Sequence, residues 1–459
     1  MTAVNGSDSL HRLIKLALDT GEAASLTEAE AIFSKYRLRI HVDASVAKSG
    51  AWQHAVLTLL NAGSKAFLGG VFLSGDSEFE ITVPGFESQT LRQVASDHGV
   101  KSYSSIADDL PTIVVGDGPC PVAGAFAIRL ASDGWRCGLL PAGVSNTVSK
   151  RTFSIGAIVS AALALNEAFL YVRGETPAAG HREIGLSLWE PTEPHRWQLD
   201  AVDGPDIVNL PKALWLVGLG HLGQAFGWIV AGLPYAQPSE ALVVLQDMDS
   251  ITEASLSTGM MASAGSVGRP KTRVVSDWLE KRGFKTRIVE RFFDAIQRVR
   301  ADEPQLGLIG LDNAGGRRAI DVSGFAHVIE AGLGNSYRDF RAVRVHAFPG
   351  PKFAIDLWAA NELAISGREN APAYKNMLAA GADQCGVVTM ANKSVGTPFV
   401  GLFAAGLVIA EVLRLLNSGP RYSVVDVTLK NLSSLVAVKN TCASTINPGY
   451  LRVSGQSTA

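Results

Sequence analysis

The residues whose types and spacing can do chemistry begin at Leu214. An apolar run, Leu-Trp-Leu-Val, ends in Gly218, Gly220 and Gly223, and a helix rich in small residues follows. That order reads as strand, glycine turn, helix. The glycines let the backbone turn tightly and approach a phosphate, while the helix start offers free N–H groups and the positive end of its dipole. Asp247 lies 24 residues past Gly223, at the end of a second apolar run, where a carboxylate can bind ribose hydroxyls; Asp249 follows it and fits a ligand or a turn residue equally. This much predicts an adenine nucleotide in a crevice at the strand ends, and by itself permits an NAD-dependent oxidoreductase.

Further along, Val267-Gly-Arg-Pro-Lys-Thr-Arg opens a helix expected to run to about Arg282, with Pro270 in its first turn and Lys271 placed to meet a phosphate at the helix start. A strand is expected near Lys285–Glu290, and another, Leu306-Gly-Leu-Ile-Gly-Leu, ends in Asp312-Asn313 with Arg317 and Arg318 in the next helix. Strand ends converge on one crevice in a doubly wound sheet, so Asp312 is expected to face the same phosphates and to hold a magnesium ion. As a helix cap Asp312 would look the same. Arg317 fits a plain ion pair with Asp312 or Asp321 as well as a phosphate contact, and His221 reads as a solvent-facing filler of the glycine turn.

The elements that must position these residues form two halves. The chain has 459 residues, 47% of them hydrophobic and 18% charged, with a net charge of −2, so a large core and two or three domains are expected. Nothing in that balance marks a nucleic-acid footprint. Residues near Leu10–Asp19 and Leu26–Lys35 read as a helix pair. From Arg39 strand and helix alternate through a helix at Ala51–Asn61, a strand at Lys65–Leu73, a strand at Phe79–Val83, a helix at Thr90–Asp97 and a strand from Thr112. This predicts a parallel sheet with helices on its faces. It carries no glycine motif of the right spacing; Gly69-Gly70 and Ser74-Gly75-Asp76 come nearest.

Two long apolar stretches, 153–172 and 398–416, each carry an internal glutamate, Glu167 and Glu411, which argues against a membrane span. With Glu167 laid on Glu411 their small and large positions mostly match. The reading is a weak internal repeat of two Rossmann-like units in a pseudo-twofold arrangement, the N-terminal one degenerate and the C-terminal one nucleotide-binding. The boundaries expected are 1–175 for the first, 176–212 for a linker or crossing segment, and 213–459 for the second. Four cysteines, Cys120, Cys137, Cys385 and Cys442, stand far apart without a metal-ligand spacing, and no basic or apolar leader precedes them, so a reduced cytoplasmic setting is expected.

In sequence order, Gly218-Leu-Gly-His-Leu-Gly223, Asp247-Met-Asp249, Gly268-Arg-Pro-Lys271, Asp312-Asn313 with Arg317, and Cys385-Gly-Val-Val before a Gly/Ala-rich helix resemble the ThiF/MoeB and ubiquitin-activating-enzyme family over about 213–416. The resemblance implies ATP and magnesium as cofactors. It implies ribose binding for Asp247, phosphate binding for Lys271 and magnesium binding for Asp312, with Asn313 and Arg317 beside the nucleotide. It also implies a thioester cysteine at Cys385 on a mobile crossing loop near 375–397. The partners implied are a ubiquitin-like protein, whose C-terminal glycine is adenylated, and a conjugating enzyme; a homodimer is compatible. The pairing of a degenerate with an active unit resembles the activating enzymes of small bacterial ubiquitin-like operons, including antiviral ones. Two departures stand out. Ser255 and Thr258 occupy the positions where the family has asparagine and a phosphate-binding arginine, and a hydroxyl does not replace a guanidinium. Either Arg269, Arg273 or an arginine of the N-terminal half substitutes, or the chain is a catalytically dead scaffold.

Overall fold

The computed structural model describes residues 9–102, 110–118, 124–144, 151–359, 371–380, 383–442 and 446–453, without the side chains of residues 385 and 386. The first sheet is built from β1 (Arg37–Val42), β2 (Gly70–Gly75), β3 (Lys101–Ser102), β4 (Thr112–Val115), β5 (Ala127–Asp133), β6 (Arg136–Pro141) and β7 (Ile184–Ser187). Their order is β3-β2-β1-β4-β5-β6-β7, parallel through β5 and antiparallel from there to β7.

The second sheet takes β9 (Ala213–Val217), β10 (Leu242–Gln246), β11 (Lys285–Val289), β12 (Leu306–Ile309), β13 (His327–Leu333), β14 (Ala342–Phe348), β15 (Tyr422–Thr428) and β16 (Asn431–Lys439). Its order, β11-β10-β9-β12-β13-β14-β15-β16, repeats that of the first with one strand added, and the change from parallel to antiparallel falls at the equivalent place, β13. Central strands such as β4 and β12 are buried at every position, as a parallel sheet covered on both faces requires. A two-stranded antiparallel ribbon, β8 (Asn209–Pro211) with β17 (Tyr450–Arg452), closes the crossing between the halves.

The long helices obey the same repeat. Ser154–Val172 joins β6 to β7 and Pro398–Leu416 joins β14 to β15; each packs on its own half's first long helix (Gly50–Ala66 or His221–Ala231), and the two pack on each other. At their crossing a Cβ on Gly406 would run into Val159, so only glycine allows the approach. Both helices are long and apolar enough to cross a membrane, but 89% and 94% of their apolar windows are buried inside the protein, as core helices of two packed sheets should be.

Glu167 and Glu411 perform equivalent tasks, which supports laying one on the other. Glu167, 1% exposed, accepts from the Arg182 guanidinium and the Gly180 N–H, pinning the segment that leads into β7. Glu411, 2% exposed, accepts from Arg421, Arg414 and the Tyr422 N–H, pinning the segment that leads into β15. A buried carboxylate needs such partners.

Several expected elements differ. The Gly50–Ala66 helix runs past Asn61 through Lys65, so the following strand starts only at Gly70. The strand expected at 79–83 is a single bridge from Glu80 to Thr90, because the Gln53 side chain takes the Thr82 N–H. The segment around Leu186 is the seventh strand of the first sheet. The N-terminal helix pair is shorter than expected, Lys15–Thr20 and Leu26–Phe33.

Three histidines are desolvated: His54 packs against Gly232 of the other half, and His11 and His98 lie near Lys65. Burial pushes the pKa of each, and of His221, down to about 4, below the ordinary 6.5. Each is neutral in the folded chain and takes up a proton more readily when unfolded, so its contribution is full above about pH 6.5 and is lost as pH falls toward 4. The melting temperature is therefore expected to fall steeply between pH 6.5 and 4.5; a flat profile there would show rings open to water.

Candidate functional site

The glycine turn joins β9 to the His221–Ala231 helix, and its three glycines have separate physical roles. Gly218 has φ +79° and sits with room for no side chain, a Cβ there lying 2.9 Å from the Gly310 carbonyl oxygen. At Gly223 a Cβ would run into the Gly218 carbonyl, so glycine sets how closely helix and strand approach. Gly220 faces open space. The helix that starts there has no side-chain cap, which leaves backbone N–H groups directed at that space.

The equivalent place in the N-terminal half is closed. After β1 the chain has Asp43, whose carboxylate accepts from the Ser45 N–H at 2.9 Å and fills the space beside Gly116 and Gly118. The helix begins only at Gly50, and Ser49 caps it by accepting from the Trp52 N–H. A carboxylate and a side-chain cap stand where the second half leaves uncapped donors, which is the physical content of the degeneracy.

Around the open turn, Asp247 accepts from the Leu219 N–H at 2.6 Å and from the Asp249 N–H at 2.7 Å, so its carboxylate ties the turn to the end of β10. Lys271 opens the Lys271–Glu280 helix, which also lacks a side-chain cap, with Pro270 at the position before it. Its ammonium lies 2.8 Å from the Asp249 carboxylate and 4.0 Å from Asp247. Gly310, at the end of β12, donates to the Val217 carbonyl, and Asp312 two residues on is exposed, with no hydrogen bond or ion pair among the described residues. The turn, Asp247, Asp249, Lys271 and Asp312 thus share the carboxyl end of adjacent strands.

Other expected residues lie elsewhere. The Asn313 side chain caps the short Ala314–Arg318 helix, accepting from the Gly316 N–H at 2.7 Å. Arg317 pairs neither with Asp312 nor with Asp321; its Nε lies 2.8 Å from Glu330, a carboxylate 1% exposed that His346 also contacts at 3.1 Å. Charge balance inside the sheet face claims it, since a buried carboxylate without a cation is costly. His221 does not face solvent: its ring fills the space beside Gly401 in the Pro398–Leu416 helix. Cys385 lies in a helix, Gln384–Asn392, rather than on a loop, and its side chain lies outside the described residues. Among the described cysteines, Cys137 is buried and its thiol is pushed to a raised pKa, while Cys442 is half-buried. Cys120 lies outside the described residues.

Ser255 and Thr258 are used structurally. The Ser255 hydroxyl closes a capping box with Thr252, and Thr258 packs toward Gly396. Arg12, from the N-terminal segment, comes to this same place: its backbone N–H donates to the Ser257 hydroxyl at 3.2 Å, its Cβ lies near Gly396, and its charge reaches His221. No local pattern in the sequence pointed to it, because the contact spans 245 residues.

Residues 37–188 match the family model described as the BilD N-terminal domain, and residues 210–419 match the BilD C-terminal domain. The chain is 36% identical over 417 residues to the bacterial E1-like protein BilD of Collimonas sp. (strain OK412), covering 90% of each. The chain belongs to the BilD family of bacterial E1-like proteins. The first BilD match spans β1 to β7, the whole first sheet, and the second spans β9 to β14 with the glycine turn. Solved structures with lower similarity include E. coli MccB (13% identity, 70% of this chain and 95% of that one, TM-score 0.33) and E. coli tRNA N6-threonylcarbamoyladenosine dehydratase TcdA (12%, 45% and 86%, TM-score 0.29).

Proposed function

We propose that this BilD-family chain adenylates the C-terminal glycine of a ubiquitin-like protein with ATP and passes it on through a thioester to a conjugating enzyme. The observation that carries this reading is the asymmetry of the two halves: one strand–turn–helix is uncapped and open above Gly220, with Lys271 beside it, and its counterpart is closed by Asp43 and Ser49. In this reading the glycine carboxylate attacks the α-phosphate, a new carboxylate–phosphorus bond forms, and pyrophosphate leaves with the electron pair of the bond that breaks. The turn N–H groups and the Lys271 ammonium stabilise the charge that develops on the phosphates. Asp312, exposed and without a protein partner among the described residues, has the chemistry to hold a magnesium ion, which neutralises phosphate charge when bound. Arg12 replaces the guanidinium absent at Thr258. Family membership favours adenylation over hydride transfer, and the open turn favours it over a dead scaffold. An intracellular, antiviral setting and a cytoplasmic location belong to the same proposal.

The thiolate of Cys385 then attacks the acyl-adenylate carbonyl and AMP leaves. The test is ATP–pyrophosphate exchange with candidate ubiquitin-like proteins, followed by gels with and without reductant. The expected result is exchange with a cognate protein and a thiol-sensitive adduct that Cys385→Ala removes. An adduct that persists in Cys385→Ala moves the role to another cysteine; no exchange with any ubiquitin-like protein, despite ATP binding, overturns the proposal.

A further inference from the structure

The half without a nucleotide turn reaches across to the loop that borders it. On the Gly50–Ala66 helix, the Asn61 amide donates to the Met260 carbonyl at 2.7 Å, and the Lys65 ammonium donates to the Gly259 carbonyl at 2.5 Å and the Ala262 carbonyl at 3.4 Å. Asn61 is 4% exposed and its other amide atom, Oδ1, has no hydrogen-bond partner among the described residues. Lys65 forms no ion pair among the described residues, and desolvation pushes its pKa down to about 7. Holding a cation with backbone carbonyls alone, beside His11 and His98, is a poor way to gain stability. Such arrangements concentrate where geometry matters for function.

What the two side chains hold is connected to the turn. The Met261 N–H donates to Gln224 Oε1 at 2.8 Å, and Gln224 Nε2 donates to the Leu219 carbonyl at 3.2 Å. Gln224 is fully buried, and a Cβ on Gly259 would lie 2.7 Å from its Oε1, so loop and side chain fit without slack. Leu219 in turn donates to Asp247. The path is therefore continuous from the N-terminal half through residues 259–262 and Gln224 to the backbone between Gly218 and Gly220.

We propose that Asn61 and Lys65 are positioning residues of the nucleotide site, acting from the degenerate half through the 259–262 loop and Gln224 on the conformation of the glycine turn. This rests on the nucleotide reading above. It assigns the first half a part in ATP binding that its own closed turn does not supply.

The experiment compares the full-length wild type with Lys65→Met, Lys65→Arg and Asn61→Ala, measuring ATP affinity by calorimetry and melting temperature in parallel. Loss of a net hydrogen bond to a charged group, transmitted to the turn, is expected to weaken ATP binding about tenfold in Lys65→Met and less in Asn61→Ala. Lys65→Arg, which keeps the charge and the donors, is expected to recover part of the affinity. If both truncations lower the melting temperature yet leave ATP affinity and pyrophosphate exchange unchanged, the residues only hold the halves together and the proposal fails. Should Lys65→Met not fold, Asn61→Ala, which removes a neutral donor, decides alone. A wild type that binds ATP but exchanges no pyrophosphate defeats the adenylation reading and leaves the affinity comparison decisive for this one; a wild type that binds no ATP overturns both.

Discussion

Lys271→Ala and Asp312→Ala are each expected to lower ATP–pyrophosphate exchange by about 10²- to 10³-fold, because removing one preorganised charge from a site where charge develops costs that much. Neither is expected to change stability by more than about 1 kcal/mol. Asp312 is exposed and unpaired among the described residues, and the Lys271 pair is with Asp249, whose side chain is 68% exposed. That separation of activity from stability makes the pair diagnostic. The loss should appear in the rate at saturating ATP more than in ATP affinity, since the interaction strengthens as the pentavalent phosphorus forms. Arg12→Ala, measured alongside, should fall in the same direction if the N-terminal segment supplies the guanidinium missing at Thr258. Exchange that stays at the wild-type rate in Lys271→Ala or Asp312→Ala would remove the assigned roles.

The largest stability effect is expected at the other end of the Pro398–Leu416 helix. Glu411→Ala deletes a carboxylate 2% exposed and leaves Arg414, also 2% exposed, without its ion pair, while the Tyr422 N–H loses its acceptor. Breaking a buried pair from one side costs about 3–5 kcal/mol, because the remaining charge stays desolvated. Arg414 cannot swing to water, since its guanidinium also donates to the Leu188 carbonyl in the segment after β7. The denaturant midpoint should therefore drop markedly, and a second change, Arg414→Leu, should restore part of it by removing the stranded charge. A shift within about 1 kcal/mol for Glu411→Ala would class the pair with exposed ones and contradict the burial seen here.

By itself the sequence determined the features that are local or periodic. The spacing of Gly218, Gly220 and Gly223 after an apolar run announced the strand, turn and helix, because the positive-φ turn at Gly218 and the close helix–strand approach at Gly223 can be met only by glycine. The repeat was legible in Glu167 and Glu411, since a carboxylate in an apolar helix must find the same kind of partners in each copy. Continuous apolar runs announced the central parallel strands. The β5–β6 hairpin was not legible, because its strands carry Arg129 and Arg136: the first is satisfied by the Gly116 carbonyl, and the second pairs with Asp200, 64 residues away, as well as with Asp133 in the hairpin itself. Charge pairing over long separations was likewise decided by the tertiary structure. Arg317 went to Glu330 on a neighbouring strand, His221 turned inward against Gly401, and Lys65 reached the loop at Gly259 across the boundary between the halves. A side chain's partner depends on which strands and helices become neighbours, and no spacing along the chain records that; the closed N-terminal turn, with Asp43 filling what Gly220 leaves open, became visible only when the two sheets could be laid on each other.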